Sequence, residues 1–117
     1  MAKREYRLRT DLPSLINAID AGIMRGLSSS FEAGSDYRSG DVHVVVRVYE
    51  RYSFLGGNRV SLSVTAVEDR NSGEVFLSAI TSGGSQAMFW KLNTFGEHNF
   101  LNKLDEIVQG FQPWVNY

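Results

Sequence analysis

Apolar and polar residues alternate along three stretches in the middle of the chain. The first, DVHVVVRVYERYSF, has Val42, Val44, Val46 and Val48 on one side and His43, Val45, Arg47, Tyr49 and Arg51 on the other. In RVSLSVTAVED and EVFLSAITS the apolar positions are again two apart, and they are Val60, Leu62, Val64, Ala66, Val75, Leu77 and Ala79. A period of two residues with many β-branched side chains predicts β-strands. The connections LGGN and DRNSGE predict hairpins, which makes the strands antiparallel.

Three weaker patterns predict further strands. Residues 5–9 alternate with Tyr6 and Leu8 on one side, which indicates a short first strand. The stretch LSSSFEAGSDYRSGD predicts a polar edge strand whose inward residues are Phe31, Ala33 and Tyr37. The run AMFWKL, which follows the third long strand, predicts one more short strand.

The pattern changes to a helical period at two places. In TDLPSLINAIDAGIMRG the apolar side chains fall on one helical face, with Thr10 or Asp11 as the N-cap, Pro13 in the first turn and Gly26 after the end. Near the C-terminus, TFGE matches a capping box and predicts a second helix that begins at Thr94. Its apolar stripe is Phe100, Leu101, Leu104, Ile107, Val108 and Phe111.

The order of these elements predicts an α+β fold. A strand, a helix, four or five strands and a helix form a two-layer domain, with a curved antiparallel sheet of five to six strands and two helices on one face. This order is compatible with TATA-binding-protein-like and helix-grip arrangements. The length of 117 residues fits a single domain over residues 1–117.

Composition excludes several classes of function. A net charge of −1, with a basic stretch only at the start of the sequence, argues against nucleic-acid binding. No apolar run approaches the ~20 residues of a membrane span, and the basic start MAKREYRLR precedes an amphipathic rather than an apolar segment. The absence of cysteine excludes disulfides, thiolate metal sites and cysteine nucleophiles. We therefore expect a cytoplasmic protein that binds neither nucleic acid nor membranes.

The segment TSGGSQA, residues 81–87, is a candidate ligand contact. Consecutive glycines allow backbone N–H groups to converge on an anion, and Gln86 adds an amide. However, no phosphate-loop pattern is present, and a nucleophile elbow at Ser85 would need a strand–turn–helix context. Because the flank AMFWKL looks like a strand, a turn is the favoured interpretation, and the candidate contacts are Gly83, Gly84, Ser85 and Gln86.

A polar face of the sheet is the second candidate. His43, Arg47, Tyr49 and Arg51 share one side of a strand, and Ser61, Ser63 and Thr65 share one side of the next. If these sides coincide, they form a basic, hydroxyl-bearing surface suited to a carboxylate or phosphate. The alternative is an ordinary solvated face. Arg47, Arg51 and Arg59 are the predicted contacts.

No catalytic or metal-binding set is visible. The chain has two histidines, His43 and His98, and no third ligand at a motif spacing, so neither a metal nor another cofactor is predicted. The adjacent pairs Glu68-Asp69 and Asp105-Glu106 do not have the spacing of an acid/base pair. The aromatic tail with Trp114 and Tyr117 packs on the core or seeds a dimer interface.

Three motifs resemble those of a known family. They are Glu50-Arg51-Tyr52, Gly56-Gly57-Asn58-Arg59 and SGGSQA at residues 82–87. On these strings the chain resembles an uncharacterised domain-of-unknown-function family of small proteins from Gram-positive bacteria of the Bacillus and Clostridium group. The resemblance implies a compact bacterial domain and supplies no activity, cofactor or catalytic residue.

Three hypotheses about function follow. The first is a non-enzymatic binding module for a small molecule or a protein partner, with the arginines and the glycine-rich segment as contacts. The second is a hydrolase-type enzyme that uses Ser85 and His98. The third is a homo-oligomeric interaction scaffold, with a homodimer as its simplest form.

Overall fold

The computed structural model describes residues 1–25, 29–53, 58–83, 90–111 and 115–116. Within these ranges eight elements follow one another, and they are β1 (Ala2–Leu8), α1 (Leu12–Met24), β2 (Ser29–Ser39), β3 (Val42–Ser53), β4 (Asn58–Asp69), β5 (Glu74–Gly83), α2 (Trp90–Gln109) and β6 (Val115–Asn116).

The strands form one open sheet in the order β2-β3-β4-β5-β1-β6. Every neighbouring pair is antiparallel. Strands β2 to β5 follow one another as hairpins, and β1 returns to pair with β5. The α+β class, the antiparallel sheet and the two helices predicted from the sequence are confirmed.

Both helices pack on one side of the sheet, here called the helix face. The buried core between the layers combines the apolar stripes of α1 and α2 with alternate residues of β1, β4 and β5. The strand residues in it include Tyr6, Leu8, Leu62, Val64 and Leu77. These residues are the ones that the alternation of the sequence places inward, because a strand that is half buried must alternate.

The first helix begins as predicted. Asp11 is the N-cap, and its side chain accepts a hydrogen bond of 2.9 Å from the backbone N–H of Ser14. A second carboxylate, Glu68 of β4, accepts from the backbone N–H of Leu12 at 3.3 Å. Two N–H groups that the first turn of a helix leaves without intrahelical partners are thereby satisfied. The predicted C-terminal residue Gly26 lies outside the described residues.

The second helix begins earlier than the sequence suggests. It starts at Trp90, so Thr94 lies inside the helix, and Trp90, Lys91 and Leu92 are helical rather than part of a strand. Residues 87–89 of the predicted strand lie outside the described residues. The prediction was wrong because a run of six residues is too short to separate a helical from a strand pattern.

The edge strand β2 is present, but its faces differ from the prediction. Phe31 lies opposite Tyr49, whereas Ala33 lies opposite Val48, because a bulge shifts the register between Phe31 and Ala33. Phe31 therefore lies on the helix face, where its ring meets that of Tyr49 edge-on at 6.0 Å. Ala33 and Tyr37 lie on the opposite face. One extra residue in a strand reverses the face of every residue after it.

Candidate functional site

The register of β3 and β4 separates the two halves of the predicted polar surface. Arg47 lies opposite Val64, and Val46 lies opposite Thr65. Residues directly opposite one another share a face. His43, Arg47 and Arg51 therefore lie on the helix face, and Ser61, Ser63 and Thr65 lie on the other. The combined basic, hydroxyl-bearing surface does not form.

Arg47 is held inside the molecule by α1. Its Nε lies 3.6 Å from Oδ1 of Asp20, and its guanidinium lies 5.6 Å from the centre of the Phe31 ring. The hydroxyl of the buried Tyr49 donates to the same Asp20 oxygen. Burial raises the pKa of the Tyr49 hydroxyl, and the hydrogen bond to Asp20 and the negative charge of that carboxylate raise it further. These contacts fasten α1 to β3, and a ligand role for Arg47 stays a prediction.

His43 is buried between two carboxylates. Its Nε2 lies 2.7 Å from Oδ1 of Asp36 on β2, and its Nδ1 lies 4.0 Å from Oε1 of Glu68 on β4. Because a carboxylate only accepts, Nε2 carries the hydrogen. The other oxygen of Glu68 accepts from the N–H of Leu12. The hydrogen bond of His43 therefore connects β3 to the edge strand β2, and the carboxylates approach opposite ring nitrogens instead of converging on one point.

Within the described ranges, no group of three or more metal-ligating side chains has a geometry that could hold an ion.

Three of the predicted ligand contacts meet at one end of the sheet. Val60 of β4 pairs with Arg51 of the neighbouring strand β3 and with Gly83 of the neighbouring strand β5. Arg59 precedes Val60 in the chain. The guanidinium of Arg51 lies on the helix face, 5.8 Å from the centre of the Phe100 ring. Arg59 lies on the opposite face, where it donates to Oε1 of Glu50 at 2.8 Å. The predicted contacts Gly84, Ser85 and Gln86 lie outside the described residues.

The surroundings of the glycine-rich segment differ from the prediction. Strand β5 ends at Gly83 and α2 begins at Trp90, so the segment connects a strand to a helix and not to a further strand. The flank that favoured a turn over a nucleophile elbow is therefore helical from Trp90 onward. Ser85 itself lies outside the described residues, and His98 falls within α2. The pairing of these two residues in a hydrolase stays a prediction.

The sheet face opposite the helices, here called the open face, carries a row of apolar side chains. Tyr37, Val44, Val67 and Phe76 lie opposite one another across the four adjacent strands β2 to β5. Tyr37 is 63% exposed, Phe76 is 37% exposed, and the nearby Ile80 is 40% exposed. No helix in the described part of the chain packs on this face.

Of the predicted polar surface, only the hydroxyls of β4 lie on the open face, and the outward valines of β3 beside them were not predicted. A usable signal was present in the hairpin. The four-residue connection at positions 54–57 places Ser53 opposite Asn58. Counting back from that pair places Leu62, which is on the buried side of β4, opposite Tyr49. Tyr49 is therefore buried as well, and the valines that alternate with it along β3 point outward. The length of a hairpin connection sets the register and hence the face.

Comparison with known proteins gives a family but no activity. The model of a protein family that is described as a family of unknown function matches residues 1–112. No curated protein matches the chain. In the residues that the structure describes, neither helix has the length and hydropathy to span a bilayer.

Proposed function

The chain belongs to the DUF6054 family, whose function is unknown, and we propose that it is a binding module that docks a protein partner on the open face of its sheet. The observation that carries this proposal is the apolar row across the open face. Antiparallel sheets with one solvated side ordinarily alternate between apolar buried and polar exposed residues. Here the outward positions of four strands include Tyr37, Val44, Val67 and Phe76.

The composition of the open face supports a protein partner. Its centre combines valines with the hydroxyls of Ser63, Thr65 and Ser78. Its margin is charged, and it includes Lys3, Glu5 and Arg7 on β1 and Asp69 and Glu74 at the β4–β5 turn. An apolar centre with a polar rim is the usual anatomy of a protein–protein interface. Exposed aromatic residues such as Tyr37 and Phe76 are typical energetic anchors of such interfaces.

The proposal is tested with the double variant Phe76→Thr/Ile80→Thr. Threonine keeps the strand preference of a β-branched residue while it removes most of the apolar surface. Wild-type protein and variant are each used to purify partners from the cells that naturally produce the chain, and retained proteins are quantified. We expect one partner whose recovery falls at least tenfold with the variant, about 1.4 kcal/mol of binding free energy or more.

The matched control is Ala21→Thr. Ala21 is exposed on α1 and therefore lies on the opposite side of the molecule. This variant should retain the partner at the wild-type level, and circular dichroism should show that both variants are folded. Equal recovery of all proteins by wild type and the Phe76→Thr/Ile80→Thr variant would contradict the proposal.

A second candidate function is the binding of a small anion on the open face, at the sheet end that holds Arg59. The observation in its favour is that Arg59 and two hydroxyl side chains reach the same face from adjacent strands. On the open face, the hydroxyls of Ser61 and Ser82 lie 3.1 Å apart beside Arg59. Hydroxyls and arginine side chains are common ligands of phosphate groups.

Inorganic phosphate is the probe for this second candidate. Calorimetric titration should show binding that weakens at least tenfold in Arg59→Gln. The control Arg70→Gln removes an exposed charge from the turn at the far end of β4 and should leave binding unchanged. Equal affinities in all three proteins, or no measurable binding to the wild type, would exclude this site.

We also propose that the protein is cytoplasmic and comes from a Gram-positive bacterium. Fluorescent tagging in the producing cell tests the location, and enrichment of the tag at the membrane would contradict it.

A further inference from the structure

Within the described residues, β2 has no strand paired along its outer edge. It is hydrogen-bonded to β3 on one side and stands first in the strand order. The strand has 11 residues, and those from Phe31 onward are exposed. The backbone N–H and C=O groups along such an edge are able to pair with another strand.

Two features that ordinarily protect an edge are present in β2. One is the bulge between Phe31 and Ala33, and the other is the charge of Glu32, Asp36 and Arg38. Charged side chains on an edge normally discourage pairing with other chains. Asp36 and Arg38, however, have opposite charges and are separated by one residue. That spacing makes this part of the strand complementary to itself.

A two-fold axis at Tyr37 brings the charges together. In an antiparallel pair of two β2 strands centred there, Asp36 of each copy lies opposite Arg38 of the other. Both residues lie on the helix face, because they are opposite Val45 and His43 of β3. Opposite charges that face each other across a strand pair are stabilising. Centring on Asp36 or on Arg38 would instead set like charges opposite one another.

The surrounding contacts are compatible with this pairing. Asp36 uses Oδ1 for the hydrogen bond with His43, which fixes the carboxylate and leaves Oδ2 for Arg38 of the second copy. Tyr37 is on the open face, so the two tyrosines would lie opposite each other. The apolar row of each molecule would then continue across the axis into that of the other.

We propose that a second copy of this chain pairs antiparallel along β2, with the two-fold axis at Tyr37. The dimer is a single continuous sheet twice as wide as that of one copy. The helices of both copies lie on the same side of this combined sheet. This inference goes beyond the proposed docking on the open face and uses a different surface, the edge. It is tested on purified protein without any partner, so its failure leaves the docking proposal intact.

Cysteine substitution tests the register directly, because the chain contains no cysteine. In the proposed dimer the Cα atoms of the two Tyr37 residues are about 4.5–5.5 Å apart, within reach of a disulfide. We expect Tyr37→Cys to form a covalent dimer upon mild oxidation. The matched control is Ser35→Cys, on the same edge and face. The two Ser35 residues would be about 14 Å apart, too far for a disulfide.

Analytical ultracentrifugation of proteins without cysteine provides the second readout. The wild type should show a concentration-dependent dimer. Arg38→Glu sets like charges opposite each other and should weaken dimerisation at least tenfold, and Asp36→Arg/Arg38→Asp should restore it. A strictly monomeric wild type, or Ser35→Cys linking as readily as Tyr37→Cys, would overturn the proposal.

Discussion

Among the described glycines, Gly83 lies closest to another part of the backbone. Its φ is +117°, and a Cβ there would lie 2.5 Å from the carbonyl oxygen of Arg59. Only glycine adopts this conformation without strain, and a backbone atom cannot move aside as a flexible side chain does. The last residue of β5 is thus fixed as glycine by its contact with β4.

The variant Gly83→Ala should lower the free energy of unfolding by about 2–4 kcal/mol, since backbone strain and overpacking add. Gly40→Ala is the matched control, because Gly40 also has a positive φ, +56°, but open space around it. That variant should lose only about 1–2 kcal/mol. Urea denaturation measures both values, and equal losses would show that the contact with Arg59 has no energetic effect.

Tyr6 connects β1 to α2 and makes stability depend on alkaline pH. Its hydroxyl donates to Oδ1 of Asp105 at 2.5 Å, and Arg4 lies 3.6 Å from the same oxygen. Burial, followed by the hydrogen bond to Asp105 and its negative charge, raises the pKa of Tyr6 from 10.0 to about 12. The unfolded chain therefore loses this proton at a lower pH than the folded protein does.

The stability that Tyr6 contributes is complete below pH ~10 and is lost as the pH rises toward ~12. In this window the free energy of unfolding should fall by about 1.4 kcal/mol per pH unit for this group. Tyr49, whose pKa is also raised, adds to the decline. In Tyr6→Phe the free energy of unfolding should fall less steeply with pH, because one titrating hydroxyl has been removed. Urea denaturation at several pH values measures the slopes, and identical slopes would contradict this assignment.

The contact between the two helices depends on a small residue at one position. Gly22 is buried in α1, and a Cβ there would lie 2.7 Å from Cγ1 of Ile107 in α2 and also meet its Cδ1. The helices therefore approach each other closely because Gly22 lacks a side chain.

Gly22→Leu should lower the free energy of unfolding by about 1–3 kcal/mol, because the added side chain forces the helices apart. Its matched control is Ala21→Leu, which adds the same side chain at the neighbouring, exposed position of α1. That change should stay within about 0.5 kcal/mol of the wild type. Thermal unfolding of both variants is the measurement, and a stable Gly22→Leu would show that the helix contact adapts without cost.

The elements differ in how far their sequences determine them. Strand β4 was predicted with its faces, because polar residues, mainly serines and a threonine, occupy most of one side. Strand β5 was also predicted with its faces, although Phe76 and Ile80 lie on its outward side. Strand β3 has apolar residues on both sides, so alternation alone could not tell which side is buried. The bulge in β2 and the start of α2 were missed because one extra residue and a six-residue run leave no distinct period.

The positions of the candidate site residues were also predicted only in part from the sequence. Arg51, Arg59 and Gly83 were expected to act together, and hairpin pairing does bring them to one sheet end. The contact of Arg47 with Asp20 could not be predicted, because it depends on where α1 crosses the sheet. The outward position of the β3 valines was missed because they look like core residues in the sequence.

The molecule as a whole is asymmetric, with the helices on one side of the sheet and exposed apolar side chains on the other. It extends over 46 × 25 × 22 Å, and the long dimension is close to the length of a 12-residue strand. A partner that docks on this face gains mainly from burial of apolar surface, which salt screens little. Anion binding at the sheet end would instead weaken as ionic strength rises.

Photo-crosslinking in the producing cell tests the open face most directly. A photoreactive amino acid replaces Phe76 in one protein and Ala21, on the opposite side, in another. We predict a discrete crosslinked adduct with one other protein from position 76 and none from position 21. No adduct from position 76, or the same adduct from both positions, would contradict the assignment of the open face as the docking surface.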